Sequence, residues 1–209
     1  MFTQIWLFLV KGGVLMIPLL ICSILSLAIV IEKLFTLKKS KVIIPEVKSV
    51  VENISSEDDI PLALSVCSKH QGVLSNLIIL VLSHKKTSHA IMREELSDSG
   101  RQEIRSLETG LGILETVAAI APVLGLLGTV LGMIKVFSVI SVQGVGEASA
   151  LSGGISEALI TTAVGLSVGI PALIFYNYFS SKAEALILDI ENICNILLKK
   201  IHSFQTKDE

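Results

Sequence analysis

The sequence predicts an all-α integral membrane protein with three transmembrane helices, two of which extend into a cytoplasmic helical bundle. The 209-residue chain is 51% apolar and 17% charged, whereas soluble domains average about 25% charged. Three uncharged runs, 12–31, 116–134 and 158–181, contain 20, 19 and 24 residues. About 20 helical residues cross the ~30 Å hydrocarbon core of a bilayer, so each run is long enough to span it. No alternating pattern of useful length predicts a strand.

The first uncharged run predicts an uncleaved transmembrane helix. A signal peptide is the competing interpretation, but no basic n-region precedes the run and no A-x-A-like cleavage site follows it. The run is also longer than the usual apolar core of a signal peptide. We therefore expect a short extracytoplasmic N-terminus at 1–11 and the first transmembrane helix at 12–31.

The distribution of lysine and arginine predicts which parts of the chain face the cytoplasm, because cytoplasmic flanks carry the positive excess. Eleven of the 17 basic residues lie between Glu32 and Glu115, none lies between Phe137 and Ser156, and four follow Ser181. The N-terminus is therefore expected outside and the C-terminus inside. The remaining predicted divisions are a cytoplasmic helical loop at 32–110, transmembrane helix 2 at 111–138, a short periplasmic hairpin at 139–154, transmembrane helix 3 at 155–181, and a cytoplasmic C-terminal helix and tail at 182–209.

The predicted cytoplasmic parts carry capping and periodicity signals that are typical of helices. Residues 56–59 resemble a capping box that opens a short helix, with Pro61 in its first turn. Apolar residues recur every three or four positions from Ile104 to Leu114 and from Leu186 to Ile201, as on the buried face of an amphipathic helix. We expect the first of these stripes to run without a break into transmembrane helix 2.

Glycine and proline recur within the second and third runs. Small residues allow helix backbones to approach closely in a lipid bilayer. These positions are therefore predicted to pack helices against each other, either within one chain or between neighbouring subunits. The predicted packing residues are Gly125, Gly128, Gly132, Gly165, Gly169, Pro122 and Pro171.

Glu157 is the informative charged residue, because it interrupts an otherwise uncharged stretch at 148–181. A carboxylate within hydrocarbon costs about 2–3 kcal/mol on insertion scales. One interpretation is an outer-interface glutamate that marks only the start of the third span. The other is a proton-binding carboxylate that faces the interior of a helix bundle. Glu115 and Lys135 lie at span ends, where a surface charge and a snorkelling side chain are the simpler interpretations.

Three threonines accompany Glu157 as candidates for a proton pathway. Thr129, Thr161 and Thr162 lie at a similar level in the outer half of two antiparallel spans. Hydroxyls and a carboxylate can hold a chain of ordered waters that apolar walls exclude. Single-helix geometry places Thr161 on nearly the same face as Glu157 and turns Thr162 away from it.

Several function classes are excluded by what the sequence does not contain. A net charge of −2 gives no general attraction to nucleic acid. No nucleotide-binding glycine loop, nucleophile–base pair or metal-ligand spacing is present. The three cysteines, Cys22, Cys67 and Cys194, are widely spaced and suggest no disulfide framework. We therefore predict no enzymatic activity, no cofactor and no bound metal.

Two stretches resemble the second and third spans of a known family, the MotA/TolQ/ExbB proton channel family. The first is residues 121–134, APVLGLLGTVLGMI, and the second is residues 155–166, ISEALITTAVGL, followed by Ile170-Pro171-Ala172 and Tyr176-Asn177. Three spans, an outside N-terminus and a large first loop resemble the ExbB/TolQ branch of that family. The MotA branch has four spans and is disfavoured.

The resemblance implies a proton-channel or stator subunit of an inner-membrane energy-transducing motor. In such a motor a homopentameric ring surrounds the single spans of an ExbD- or TolR-like partner, whose intramembrane aspartate carries protons. A TonB- or TolA-like protein then conveys the work to the outer membrane. By motif position, Glu157 resembles the third-span glutamate of the family, Thr162 its third-span threonine and Thr129 its second-span threonine. The family thus selects Thr162 where single-helix geometry selects Thr161.

Two other functions remain open on the sequence alone. One is a membrane scaffold that positions a partner without conducting protons, which would tolerate glutamine at Glu157. The other is the permease subunit of an ATP-driven exporter, although nothing in the predicted loop matches a coupling helix for an ATPase. The sequence also leaves open whether the motor serves nutrient import, as ExbB does, or envelope integrity, as TolQ does, with a mild preference for import.

Overall fold

The computed structural model of the protein describes residues 12–83, 89–143 and 148–205. These ranges are 91% helical and contain no strand. The predicted all-α class is therefore confirmed. The elements, in chain order, are α1 (Met16–Thr36), α2 (Lys39–Val42), α3 (Pro45–Asn53), a 3-10 turn (Glu57–Asp59), α4 (Ile60–Lys69), α5 (Val73–Ser83), α6 (His89–Glu108), α7 (Leu111–Gln143) and α8 (Ala148–Gln205).

Three of these helices are long and apolar enough to cross a membrane: α1, α7 and α8. Pro122 lies inside α7 and Pro171 lies inside α8 without ending either helix. Proline is tolerated in transmembrane helices because neighbouring groups satisfy the backbone carbonyl that it leaves without a donor. The three predicted spans therefore correspond to three continuous helices.

The chain divides into two compact units. The span unit comprises Met1–Ile31 and Gly110–Tyr178, and the loop unit comprises Glu32–Thr109 and Phe179–Glu209. Helix α8 contributes its first part to the span unit and its second part to the loop unit.

The span unit has a narrow interior and an apolar exterior. Its interior is formed by Met16, Leu19 and Ala121, with Leu124, Val164 and Val168 packed against them. Large apolar side chains such as Ile24, Leu126 and Leu159 are more than half exposed. A contiguous exposed apolar surface indicates contact with lipid or with other protein chains rather than with water.

The loop unit has a core of large apolar side chains from α3 to α6 and from the second part of α8. The predicted stripe from Leu186 to Ile201 is buried in this core, which confirms that stretch as an amphipathic helix. The predicted capping box also opens a helix, because Asp59 Oδ2 accepts hydrogen bonds from the backbone N–H groups of Ser55 and Ser56 at 2.9 and 3.0 Å. The 3-10 turn at 57–59 leads directly into α4.

The expectation of an unbroken helix into transmembrane helix 2 is wrong. Helix α6 ends at Glu108, α7 begins at Leu111, and Gly110 between them has φ +86°. A positive φ is incompatible with a continuing right-handed helix and is readily adopted only by glycine, which commonly follows a helix C-terminus. The apolar stripe continues through the break, which is why periodicity alone predicts no interruption.

Candidate functional site

The site rests on a close contact between α7 and α8, in which the two backbones touch at glycine. A Cβ atom added to Gly165 would lie 2.6 Å from the carbonyl oxygen of Ala121 and 2.9 Å from Cα of Gly125. A Cβ on Gly125 would lie 3.1 Å from Cα of Thr162. Only glycine allows helix axes to approach this closely, because any larger residue would overlap backbone atoms.

The same contact extends toward both ends of the helix pair. Gly128 faces the side chain of Thr161, and a Cβ on Gly132 would lie 2.7 Å from Cβ of Ala158. Gly169 packs against the ring of Pro122, because a Cβ added to Gly169 would lie 2.6 Å from Cδ of Pro122.

Pro171 differs from the other predicted packing residues in its exposure, and its packing against a neighbouring subunit stays a prediction. It is exposed on α8, and the contacts that hold α8 to α7 are made by its glycine neighbours.

Glu157 lies next to Ala158, at the Gly132 end of this contact, and it is paired with a lysine. Its Oε2 lies 2.8 Å from Nζ of Lys135 on α7. The Glu157 side chain is 26% exposed and the Lys135 side chain 65% exposed. A charge-assisted hydrogen bond of this length holds the carboxylate toward α7.

The residues that precede α1 complete the surroundings of Glu157. Gly13 has φ +71°, and a Cβ added there would overlap the Oε1 atom of the Glu157 carboxylate. The carbonyl oxygen of Gly12 accepts a hydrogen bond from the Thr161 hydroxyl at 2.9 Å. The absence of a side chain at Gly13 therefore lets the backbone of this turn lie directly against Glu157 on α8.

The hydroxyl groups of the three candidate threonines all donate hydrogen bonds to backbone carbonyl oxygens of the same chain. Thr161 Oγ1 lies 2.7 Å from the Glu157 carbonyl oxygen as well as 2.9 Å from that of Gly12, and its side chain is buried. Thr162 donates to the Gly125 carbonyl oxygen at 2.8 Å across the α7–α8 contact. Thr129 donates to the carbonyl oxygen of Leu126 on its own helix at 2.6 Å. Each hydroxyl oxygen keeps its capacity to accept a hydrogen bond from water.

Sequence reasoning overlooked Lys135 as a partner of Glu157 and Gly12–Gly13 as part of the site. The signal for Lys135 is its spacing in the sequence, because Lys135 lies about as far before the end of α7 as Glu157 lies after the start of α8. Residues placed in this way in an antiparallel helix pair lie side by side. The signal for the turn is the Gly-Gly dipeptide before the first apolar run, which is typical of irregular backbone.

Charged side chains are few in the described part of the span unit: Glu115, Lys135 and Glu157. Glu115 is exposed near the start of α7. The described residues contain no group of three or more histidine, cysteine, aspartate or glutamate side chains that could hold a metal ion. The chemistry available at this site is therefore that of one carboxylate, one ammonium group and nearby hydroxyls.

The sequence matches one protein family and several of its named relatives. The family model of the MotA/TolQ/ExbB proton channel family matches residues 69–192. An ExbB-like biopolymer transport protein of Synechocystis sp. is 32% identical over 179 residues, which are 82% of this chain and 68% of that protein. The biopolymer transport protein exbB1 of Vibrio cholerae is 30% identical over 190 residues, 88% of this chain and 82% of that protein. The Tol-Pal system protein TolQ of Haemophilus influenzae is 38% identical over 101 residues, 48% of this chain and 44% of that protein.

Proposed function

Because the chain belongs to the MotA/TolQ/ExbB proton channel family, we propose that it is the proton-channel and stator subunit of an energy-transducing motor of the ExbB/TolQ kind. The chain is a multi-pass membrane protein with three apolar helices. We place it in the bacterial inner membrane, with its N-terminus in the periplasm and its C-terminus in the cytoplasm, because eleven of the 17 lysine and arginine residues lie between the first two spans.

The observation that carries the proposal is the position of Glu157. Glu157 is the one charged residue in the segment 148–178 of α8. Its side chain is partly buried at the place where α7, α8 and the turn before α1 meet. A carboxylate in such a place is costly to insert and marks a proton relay in many membrane proteins. We assign it the role of taking up and releasing the transported proton.

The threonine hydroxyls are proposed to line the pathway that leads to and from Glu157. Thr129 and Thr162 are assigned by their motif positions, and Thr161 by its hydrogen bond to the Glu157 backbone. Thr161 is buried inside the chain, while Thr129 and Thr162 are partly exposed. That difference favours the latter pair for contact with water or with a partner helix, and it favours Thr161 for holding the α8 backbone against the turn at Gly12.

The assembly around this subunit is also part of the proposal. Its large exposed apolar side chains fit a homopentameric ring whose members pack against each other and against lipid. The lumen would hold the single spans of an ExbD- or TolR-like partner, and a TonB- or TolA-like protein would convey the work to the outer membrane. Downhill proton flow through Glu157 and the partner would drive movement of the partner relative to the ring.

The Glu157→Gln variant tests the proton role. It keeps the shape and polarity of the side chain while removing its ability to exchange a proton, so proton flux through the assembled complex is expected to fall on the order of a hundredfold. Flux is measured as pH change inside proteoliposomes that carry the complex with its single-span partner. Glu115→Gln is the matched control, because it removes the exposed carboxylate of the same unit and should leave the flux unchanged.

Mass spectrometry of the complex in mild detergent, after coexpression with the product of the neighbouring gene, tests the assembly. Five copies with a small single-span partner are the expected result. Unchanged flux in Glu157→Gln would favour a non-conducting scaffold, and copurification of an ATPase would favour an exporter subunit.

A further inference from the structure

Lys135 is the one cation within the described part of the span unit, and it is directed at the carboxylate that the proposed function uses. Its Nζ lies 2.8 Å from Glu157 Oε2. The two side chains belong to different helices and are separated by 22 positions in the chain. A lysine that only snorkels toward the membrane surface would point its ammonium group to water or lipid headgroups instead of to a carboxylate on the next helix.

The two groups differ in how firmly they are held. Glu157 is the less exposed of the two, with a side chain 26% exposed and its Oε1 atom against the backbone of Gly13. Lys135 has a flexible four-carbon stem, and its side chain is 65% exposed. The carboxylate therefore has less room to move than the ammonium group, which can approach it or swing away.

Opposite charges attract each other, and removing one charge removes the reason for the contact. Proton uptake converts the Glu157 carboxylate to a neutral carboxylic acid, which no longer attracts an ammonium group by charge. Proton release restores the attraction. The pair is therefore built to break and re-form once for each proton that occupies Glu157.

We propose that Lys135 is a positioning residue, namely the internal counterion that holds Glu157 in its deprotonated state and releases it when a proton binds. This inference rests on the proposed function, because it specifies how the same carboxylate gives up its proton. No other described element that packs against Glu157 presents a charged group: α1 and its preceding turn contribute Gly12 and Gly13, and α8 itself contributes Thr161. Lys11 and Glu147 lie outside the described residues.

The Lys135→Met variant tests the counterion directly, because it keeps much of the apolar stem and removes the charge. Loss of the nearby positive charge favours the neutral form of a carboxyl group. We therefore expect the carboxylic-acid C=O band of Glu157, in infrared difference spectra of the assembled complex at one fixed pH, to be stronger than in the parent. The Glu157→Gln variant identifies that band by eliminating it.

Proton flux provides the second readout. A Glu157 that stays protonated longer releases its proton more slowly, so flux in Lys135→Met should fall by about threefold or more. Lys135→Arg keeps the positive charge and should restore both the infrared band of the parent and the flux. Lys135→Gln serves as a second uncharged variant if Lys135→Met does not assemble into the ring.

Two results would overturn the inference. One is an assembled Lys135→Met or Lys135→Gln complex whose Glu157 band and flux both match the parent. The other is a Lys135→Arg variant that loses flux as fully as the methionine variant, since that outcome would assign importance to the shape of the side chain and not to its charge. The infrared readout needs no flux, so a Glu157→Gln variant that still conducts would refute the proposed function while leaving the counterion test decisive.

Discussion

The span unit and the loop unit are both made of helices, but they hold those helices together in different ways. In the span unit, backbones meet at Gly125 and Gly165, and large side chains point outward. In the loop unit, large side chains such as Leu197 and Ile78 are fully buried. The difference follows from the surroundings, because lipid gives no hydrophobic driving force for burying leucine, whereas water does.

Lysine also has a different role in each unit. In the loop unit, Lys33 is buried and donates to the backbone carbonyl of Leu107 at 3.0 Å, in the last turn of α6. Lys200 donates to carbonyl oxygens at the end of α3 in the same way. These ammonium groups satisfy carbonyls that the helix ends leave without partners. In the span unit, Lys135 instead meets a carboxylate that can change its charge.

The largest effect is expected from truncating the core of the loop unit. Leu197 is fully buried on α8, so Leu197→Ala should lower the free energy of unfolding by about 2–5 kcal/mol through lost burial and the cavity left behind. Leu62, on α4, is 62% exposed, and Leu62→Ala should change stability by less than about 0.5 kcal/mol. Denaturant titration in detergent compares the two variants. Equal losses would show that this unit does not depend on side-chain burial.

Adding a single methyl group tests the backbone contact of the span unit. Gly165→Ala would place a Cβ against backbone atoms of Ala121 and Gly125, neither of which is a flexible side-chain end. Overpacking of this kind costs about 1–3 kcal/mol. Gly153→Ala on the same helix is the matched control, because a Cβ there meets nothing within 4 Å. Thermal unfolding in detergent should show a lowered midpoint for Gly165→Ala alone, and equal midpoints would contradict the close contact.

Lys200 tests whether cationic capping stabilises the loop unit. Its Nζ donates to the carbonyl oxygens of Val51, Glu52 and Ile54 at 3.1, 2.5 and 3.0 Å. Lys200→Met keeps much of the stem and removes all three bonds, at a cost of about 1 kcal/mol for a partly exposed group. The exposed neighbour Lys199 is the control, and Lys199→Met should leave the unfolding midpoint unchanged. Similar midpoints for both variants would show that water replaces the cap without loss.

Much of this arrangement could be predicted from the sequence, because the bilayer imposes strict requirements. Long uncharged runs predicted α1, α7 and α8, and the glycine pattern pointed to residues that the structure places between α7 and α8. Glu157 was conspicuous as a charge within such a run. These signals are local, since each depends on residue type and spacing along one helix.

The features that escaped prediction depend on tertiary structure or on one backbone angle. The break at Gly110 arises from a positive φ, which apolar periodicity does not report. The partners of Lys33 and Lys200 are backbone carbonyls, which every residue possesses and which no sequence pattern therefore distinguishes. The Lys135–Glu157 pair required the register of two antiparallel helices, which the spacing of residues along a single helix does not give.

The smallest expected effect concerns the capping box of the loop unit and its dependence on pH. Backbone N–H groups of Ser55 and Ser56 donate to Asp59 and hold the pKa of this carboxyl below its ordinary value of 3.8. The folded state therefore binds a proton at Asp59 less readily than the unfolded chain does. The stability that the Asp59 carboxylate contributes is complete at pH values above its ordinary pKa and is lost as the pH falls through its lowered pKa. Asp59→Asn removes the charge at every pH, so its difference in melting temperature from the parent should shrink between about pH 6 and about pH 3. Asp58→Asn, at the exposed neighbouring position, is the control for general effects of charge. A difference in melting temperature between Asp59→Asn and the parent that stays constant over this pH range would mean that the Asp59 carboxylate contributes nothing as an anion.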